Sequence, residues 1–394
     1  MFDVLRPSPA DPILALAAEF RADPRADKLD LGVGVYRDAK GATVIPRAVK
    51  AAEARLLESQ ETKSYLGLLG DVEFAAAMAD LVLGDSAPRD RLASIQTPGG
   101  GGALWILMSL VKLAAPDATI WLSRPTWPNH RSIAEFVGLK TRDYAYFDPE
   151  TRAVDAEAMR RDLAAAGPGD VVLLHGCCHN PTGANLAPAD WEAVAEMALA
   201  QGFTPMVDIA YQGFGDGLAE DAAGVRRLAA RLPELLVAAS CSKNFALYRD
   251  RTGCAFALTS SASARAAATA NLMTLMRVSI SMPPDHGAAV VRTILTDAPL
   301  RAVWEAELGE MRGRMLALRR ALAEALRART NSERFDFIAR HRGMFSLIGA
   351  TPEQVAALRA EHGVYLIGDS RMNVAGLRED RIDETAGAFA AVGL

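Results

Sequence analysis

The side chains most capable of chemistry fall at the ends of apolar runs. Lys243 follows Ser240, Cys241 and Ser242 behind the apolar stretch 235–239, with Arg249 and Arg251 just downstream. Most lysines are solvated surface cations. One at the end of a buried run is instead partly desolvated, and its lowered pKa suits nucleophilic attack on a carbonyl carbon. Two hydroxyls and two arginines beside it are the donor set of a phosphate site. Asp208 ends another apolar run and leads into Tyr211. A carboxylate placed there is costly unless paired. Capping a turn and pairing with a cation both meet that need, and the residues alone leave both open.

Two further segments sit at strand ends. QTPGGGG at 96–102 joins an apolar run to a helical pattern. Consecutive glycines let backbone N–H groups approach an anion, and a sharp turn rarely needs four of them. The P-loop Lys-Ser/Thr and the GxGxxG pattern are both absent, so neither ATP nor a dinucleotide is favoured; Gly32-Val33-Gly34 is too short to count. HGCCHNPTG at 175–183 is dense in zinc-ligand types. Its ligands are contiguous rather than spaced in pairs, so no metal is expected, and the NPTG tail reads as a turn aiming the Asn180 amide. An anion nest, an acid, an amide, a phenol and a lysine are together what pyridoxal phosphate requires.

These residues need a scaffold. Apolar runs at 92–96, 119–122, 171–175, 205–208, 235–239 and 255–258 alternate with helical patterns at 102–114, 155–166, 188–200 and 217–230. That alternation predicts an α/β fold with a mostly parallel sheet flanked by helices. A long helix over 300–328 then leads to short strands at 335–338, 344–347, 365–367 and 373–375 and helices at 352–361 and 382–392, a smaller α+β domain.

The bulk properties exclude other classes. With 394 residues, 23% of them charged and a net charge of -5, the chain is a soluble enzyme type with no basic face for nucleic acid. Asp3, Arg6, Pro7, Pro9, Asp11 and Pro12 break up any signal-peptide core, and the longest apolar run, around 104–115, contains Lys112. No membrane association and a cytoplasmic location are expected. Cys177, Cys178, Cys241 and Cys254 read as small core residues in a reducing compartment.

The segments LGVGVYR at 31–37, TKSYLG at 62–67, QTPGG at 96–100, PTWPNH at 125–130, HGCCHNPTG at 175–183, DIAYQGF at 208–214, SKNFALY at 242–248, GMFS at 343–346 and RMNVAG at 371–376 come in one order along nearly the whole chain. In this the chain closely resembles the class I (subgroup Iα) aspartate and aromatic amino acid aminotransferases. The resemblance implies fold type I of the pyridoxal 5'-phosphate-dependent transferases, with an N-terminal arm at 1–10, a small domain at 11–44 plus 312–394 and a large cofactor-binding domain at 45–311.

It also implies roles. Lys243 joins the cofactor aldehyde and shuttles the proton at Cα, Asp208 faces the pyridine nitrogen, and Asn180 and Tyr211 bind the phenolic oxygen. Trp127 stacks on the ring. Gly100, Gly101, Ser240, Ser242 and Arg251 surround the phosphate, with Tyr65 reaching it from the other subunit of a homodimer. Arg371 grips the substrate α-carboxylate beside Gly34, and Arg277, also donated across the dimer, takes a side-chain carboxylate. The partners implied are amino acids and 2-oxo acids.

Departures from the family pattern bear on substrate choice. Gly101 stands where relatives carry Thr or Ser, Trp105 where many have Arg, and Ile280 and Met282 where aspartate-specific members often have Tyr and Asn. The apolar replacements make the pocket near Arg277 receptive to an aromatic ring. The expectation is a ping-pong aminotransferase acting on phenylalanine, tyrosine and tryptophan as well as aspartate and glutamate, with 2-oxoglutarate as acceptor. The alternatives are a strict aspartate aminotransferase, an aspartate decarboxylase or lyase on the same cofactor, and a non-catalytic sensor.

Overall fold

Seven strands form the central sheet: β1 (Leu92–Pro98), β2 (Thr119–Arg124), β3 (Lys140–Ala145), β4 (Val171–His175), β5 (Thr204–Ile209), β6 (Leu235–Ser240) and β7 (Thr252–Leu258). Their spatial order is β1-β7-β6-β5-β4-β2-β3, and β7 alone runs antiparallel to its neighbours. Every residue of β4, β6 and β7 is buried. Strands covered on both faces read as continuous apolar runs, which is why the sequence marks them so clearly. Alternate residues serve opposite faces: Val171 and Leu173 pack under the helix Gly99–Ala114, while Val172 and Leu174 face the layer holding Val194 and Val225. This computed structural model describes residues 1–6 and 12–394; residues 7–11, where the expected arm at 1–10 gives way to the small domain, lie outside the described residues.

A second core contains Leu29, Leu31, Phe335, Phe337, Ile348, Leu358, Met372 and Phe389. The helix Ala298–Thr330 serves both cores. Its Trp304, Leu308 and Met315 pack on the sheet layer, and its Leu318, Leu322 and Leu326 enter the second core. Asp297 caps its start by accepting the Leu300 N–H at 2.9 Å.

Some elements differ from expectation. Residues 335–338 are not a strand: Ile338 N–H donates to Phe335 O and His341 N–H to Phe337 O, closing the short helix Phe337–Arg340. Phe335 and Phe337 alternate like strand residues, but both enter the second core and neither lies beside a pairing strand. The expected strand at 373–375 is shifted to Arg371–Asn373, paired with Phe345–Leu347, and continues as the turn Val374–Gly376. The expected 365–367 strand is Val364–Tyr365, paired with Leu29–Asp30. The helix predicted from 102 begins at Gly99, so the glycines form its first turn. β3 went unpredicted because this edge strand, KTRDYA, is largely polar.

Candidate active site

A cavity of about 360 Å³ opens where the parallel strands end. Carboxyl ends of parallel strands gather ligand-binding residues because the loops after them converge. β5 delivers Asp208, β6 delivers Ser240 with Ser242 and Lys243 beyond, and β4 delivers His175 and the segment to Asn180. Register places His175 opposite Asp208 and Asp208 opposite Ala238. Of the predicted site residues, Gly34, Gly100, Gly101, Trp127, Asn180, Asp208, Tyr211, Ser240, Ser242, Lys243, Arg251 and Arg371 all line this cavity.

One part of its wall is an anion receptor. The first turn of the helix Gly99–Ala114 presents N–H groups that no earlier helical turn can satisfy. Gly99 has φ +72, and a Cβ there would stand 2.6 Å from an Arg251 guanidinium nitrogen. Only glycine lets that guanidinium lie against the turn. Arg251 itself has φ +53, a strained conformation of the kind that collects at binding sites. It donates to Ser242 Oγ at 3.4 Å and to Tyr248 O at 3.1 Å, and Ser240 Oγ donates to Ser242 Oγ at 3.1 Å. Arg249, expected to join it, does not line the cavity. Gly101 faces open space, with nothing within 4 Å of a Cβ built there.

Asp208 is held by a chain of buried histidines. His130 Nε2 lies 2.9 Å from Asp208 Oδ2, Thr126 Oγ1 joins His130 Nδ1 at 2.8 Å and His175 Nε2 at 3.1 Å, and His175 Nδ1 accepts from Asn180 N–H at 3.5 Å. Burial lowers the His175 pKa to about 3, so that ring is neutral. Since its Nδ1 accepts, its Nε2 carries the proton and donates to Thr126. Thr126 then donates to His130 Nδ1, leaving His130 Nε2 to donate to Asp208. Burial acts to raise the Asp208 pKa, but the hydrogen bond from His130, with the Lys243 amine nearby, outweighs it and holds the carboxyl below its ordinary range. The arrangement is built to present an ionised acid.

The Lys243 Nζ lies 4.9 Å from the centre of the Tyr211 ring. Burial lowers its pKa, opposed by Asp208, so the amine loses its proton more readily than a surface lysine. Burial likewise raises the Tyr211 phenol, which stays protonated as a donor. Arg371 is 5% exposed and donates to Asn180 Oδ1 at 3.3 Å and Gly32 O at 3.2 Å, over the Phe345 ring at 4.5 Å. Its Nε is buried without a partner. An orphaned guanidinium N–H inside a cavity is poised for a carboxylate.

Two predicted residues lie elsewhere. Tyr65 is 92% exposed and Arg277 is also at the surface. Leu66 N–H donates to Met282 Sδ at 2.9 Å, which ties the Tyr65 loop to the segment after Arg277. Conversely, His130, His175, Tyr248 and Phe345 belong to the site but drew no role from sequence reading; the WPNH spacing behind Trp127 was the available signal for His130. Cys177, Cys178 and Asp221 bring donor atoms within 4.8 Å of one another. The Asp221 oxygens already accept N–H groups of Gly213, Gly215 and Asp216, and mutual contact and burial keep the Cys177 thiol protonated. All four cysteines are free and buried.

The sequence profile of the family "Aminotransferase class I and II" matches residues 26–389. The aromatic-amino-acid aminotransferase of Paracoccus denitrificans is 54% identical over 394 residues, covering 100% of both chains. The aspartate aminotransferase of Escherichia coli (strain K12) is 42% identical over 395 residues, again covering 100% of both. Among solved structures, the aromatic-amino-acid aminotransferase from Burkholderia pseudomallei covalently bound to pyridoxal phosphate superposes with a TM-score of 0.97 at 40% identity, over 100% of this chain and 99% of that one.

Proposed function

The chain belongs to the class I and II aminotransferases, and from that premise we propose that it transfers amino groups from aromatic amino acids, aspartate or glutamate to 2-oxoglutarate, using pyridoxal 5'-phosphate in a ping-pong cycle. The supporting observation is one cavity that holds the Lys243 amine, a carboxylate kept ionised, and two separate anion receptors, the glycine turn with Arg251 and the unpartnered Nε of Arg371. When bound, the cofactor supplies an aldehyde that condenses with amines and a ring that takes up the electron pair left at Cα. Gly100, Gly101, Ser240, Ser242 and Arg251 would hold its phosphate, Trp127 its ring face, Asn180 and Tyr211 its phenolic oxygen, and Asp208 its ring nitrogen.

Each of these side chains has a definable task. Asp208 would keep a proton on the cofactor's ring nitrogen, since the histidine chain leaves it as an ionised acceptor. Arg371 fixes the substrate through its α-carboxylate, which orients the Cα–H bond toward the lysine amine. Lys243 Nζ would take the proton from Cα and return it to the carbon of the cofactor's former aldehyde, on the far side of the bridging nitrogen, a task suited to an amine whose pKa is lowered. Arg277 and Tyr65 would complete the site of a second copy, making the enzyme a homodimer with shared sites. Ile280 and Met282, on the Arg277 segment, give that rim an apolar character that admits aromatic rings beside dicarboxylates. Among the described residues no helix is long and apolar enough to cross a membrane; a cytoplasmic location is part of the same proposal, in keeping with four free thiols.

The test is a panel of kcat/KM values for phenylalanine, tyrosine, tryptophan, aspartate and glutamate with 2-oxoglutarate as acceptor. Activity on both groups is expected. Turnover of aspartate alone leaves a strict aspartate aminotransferase, the reading that the E. coli relative favours. No amino transfer by cofactor-loaded protein removes the proposal.

A further inference from the structure

Arg319 lies in the middle of the helix Ala298–Thr330 and is 0% exposed. Among the described residues its guanidinium pairs with no carboxylate. Its donors all reach neutral acceptors on one segment. Nε and NH2 reach Gly343 O at 3.3 and 2.8 Å, and NH1 reaches Ile338 O at 3.0 Å and Ser346 Oγ at 2.8 Å. NH2 also reaches Arg342 O at 3.3 Å and Phe345 O at 2.7 Å. A buried charge without a counter-ion is costly, and an apolar side chain would fill the same volume at less cost. What Arg319 adds is geometry: a rigid planar fork gathers the carbonyls of Ile338, Arg342, Gly343 and Phe345 where the short helix Phe337–Arg340 turns into the strand Phe345–Leu347.

That segment reaches the substrate side of the cavity. The Phe345 ring lies 4.5 Å from the Arg371 guanidinium and meets Tyr211 edge-on at 6.0 Å. A Cβ on Gly34 would come within 2.9 Å of the same ring, so Phe345 is wedged between residues of the site. Nearby, Arg342 N–H donates to Gly183 O at 2.9 Å, and a Cβ on Gly343 would strike Cys178 Cβ at 2.3 Å. The segment is therefore pinned to the Asn180 turn on one side and to the second core through Arg319 on the other.

We propose that Arg319 is a positioning residue for substrate carboxylate binding: it fixes the carbonyls of 338–346 so that Phe345 keeps the Arg371 guanidinium in place. This rests on reading Arg371 as the carboxylate fork. Arg319 touches neither substrate nor cofactor.

The experiment uses cofactor-loaded enzyme and 3-phenylpropanoate, a carboxylate with no amine to transfer, whose dissociation constant is read from the absorbance of the bound cofactor. Arg319→Lys keeps the charge but loses the fork, and Phe345→Leu keeps the fork but loses the ring. Both are expected to weaken 3-phenylpropanoate ~10-fold and to raise KM for phenylalanine more than they lower kcat, with cofactor affinity held within ~2-fold. A lower melting temperature with an unchanged dissociation constant in either variant overturns the proposal, because a purely structural arginine behaves that way. If Arg319→Lys does not fold, Ser346→Ala removes one acceptor and should weaken binding ~3-fold; no change there is equally fatal. Failure of the aminotransferase reading looks different: the wild-type cofactor spectrum would then ignore every amino acid.

Discussion

The wall around Asp208 and the rim around Arg277 are built to different degrees of completion. In the wall, the histidine chain and the Arg251 turn find their partners within one chain, and Asp208 is only 8% exposed. At the rim, Tyr65 is 92% exposed and the stretch from Arg277 to Ser281 is open to solvent. Electrostatic work on a cofactor needs fixed, desolvated groups, and the wall has them in place in advance. A rim left open in one chain is where a second copy can finish the site, and substrate choice is proposed to reside there. Changes in the wall should therefore affect all substrates alike, and changes at the rim should sort among them.

The largest effect expected is at the wall. Lys243→Ala removes both the amine that joins the cofactor and the base that moves the Cα proton, so kcat should fall at least ~10⁴-fold for aromatic and acidic donors alike. Single-turnover absorbance with phenylalanine and with aspartate checks this. Loss for one donor only would mean that the lysine is not the common base. Next comes the rim. Arg277→Leu should cost ~2–5 kcal/mol in kcat/KM for aspartate, the usual loss when a buried charge pair is broken, and leave phenylalanine nearly unchanged. Equal losses on both substrates would erase the distinction between wall and rim.

The wall also predicts a pH dependence of stability in cofactor-free protein. Burial lowers the Lys243 pKa from 10.5. Between the lowered value and the ordinary one the unfolded chain binds more protons than the folded one, so stability should rise with pH across that window. Below it, the buried ammonium is a constant cost. Lys243→Met should therefore be more stable than wild type below the window, with an advantage that shrinks as pH climbs through it. Urea midpoints over a pH series test the sign, and an advantage independent of pH would show that the amine is not buried as a charge.

Legibility in the sequence follows the same division. The strands of the sheet interior were readable because apolar runs such as VVLLH and LLVAAS have no use outside a doubly covered sheet. β3 was not, because half of an edge strand faces water and carries charge. Lys243 and Asp208 stood out as polar residues closing apolar runs. His130 did not, since its partner is 78 residues away in sequence and only the order of the strands brings them together. Arg319 was invisible for a sharper reason: LRRAL in a long helix reads as solvated charge, and nothing local says that one of two adjacent arginines is fully buried. Resemblance to known aminotransferases named most site residues and already set Tyr65 and Arg277 apart as belonging to the other subunit; neither lines the cavity of the single chain.

The smallest predicted effect sharpens the account of the wall at its one gap. Gly101 stands in the first turn of the helix beside Ser240 and Arg251, where the family more often has a hydroxyl. Space is not the obstacle, because a Cβ there meets nothing within 4 Å, and its backbone lies outside the positive-φ region that strains side chains. Gly101→Ser should therefore be accommodated without strain and should also favour the helix, since glycine carries a penalty in helical positions. If the introduced hydroxyl reaches the phosphate, one hydrogen bond to a charged group contributes ~1.5–3 kcal/mol at most, less what water already gives it. Slower cofactor loss on dilution, with kcat/KM ratios among donors unchanged, is the expected result. A shift in the aromatic-to-acidic ratio would instead show that the phosphate turn and the rim are coupled, and the division between them would have to be redrawn.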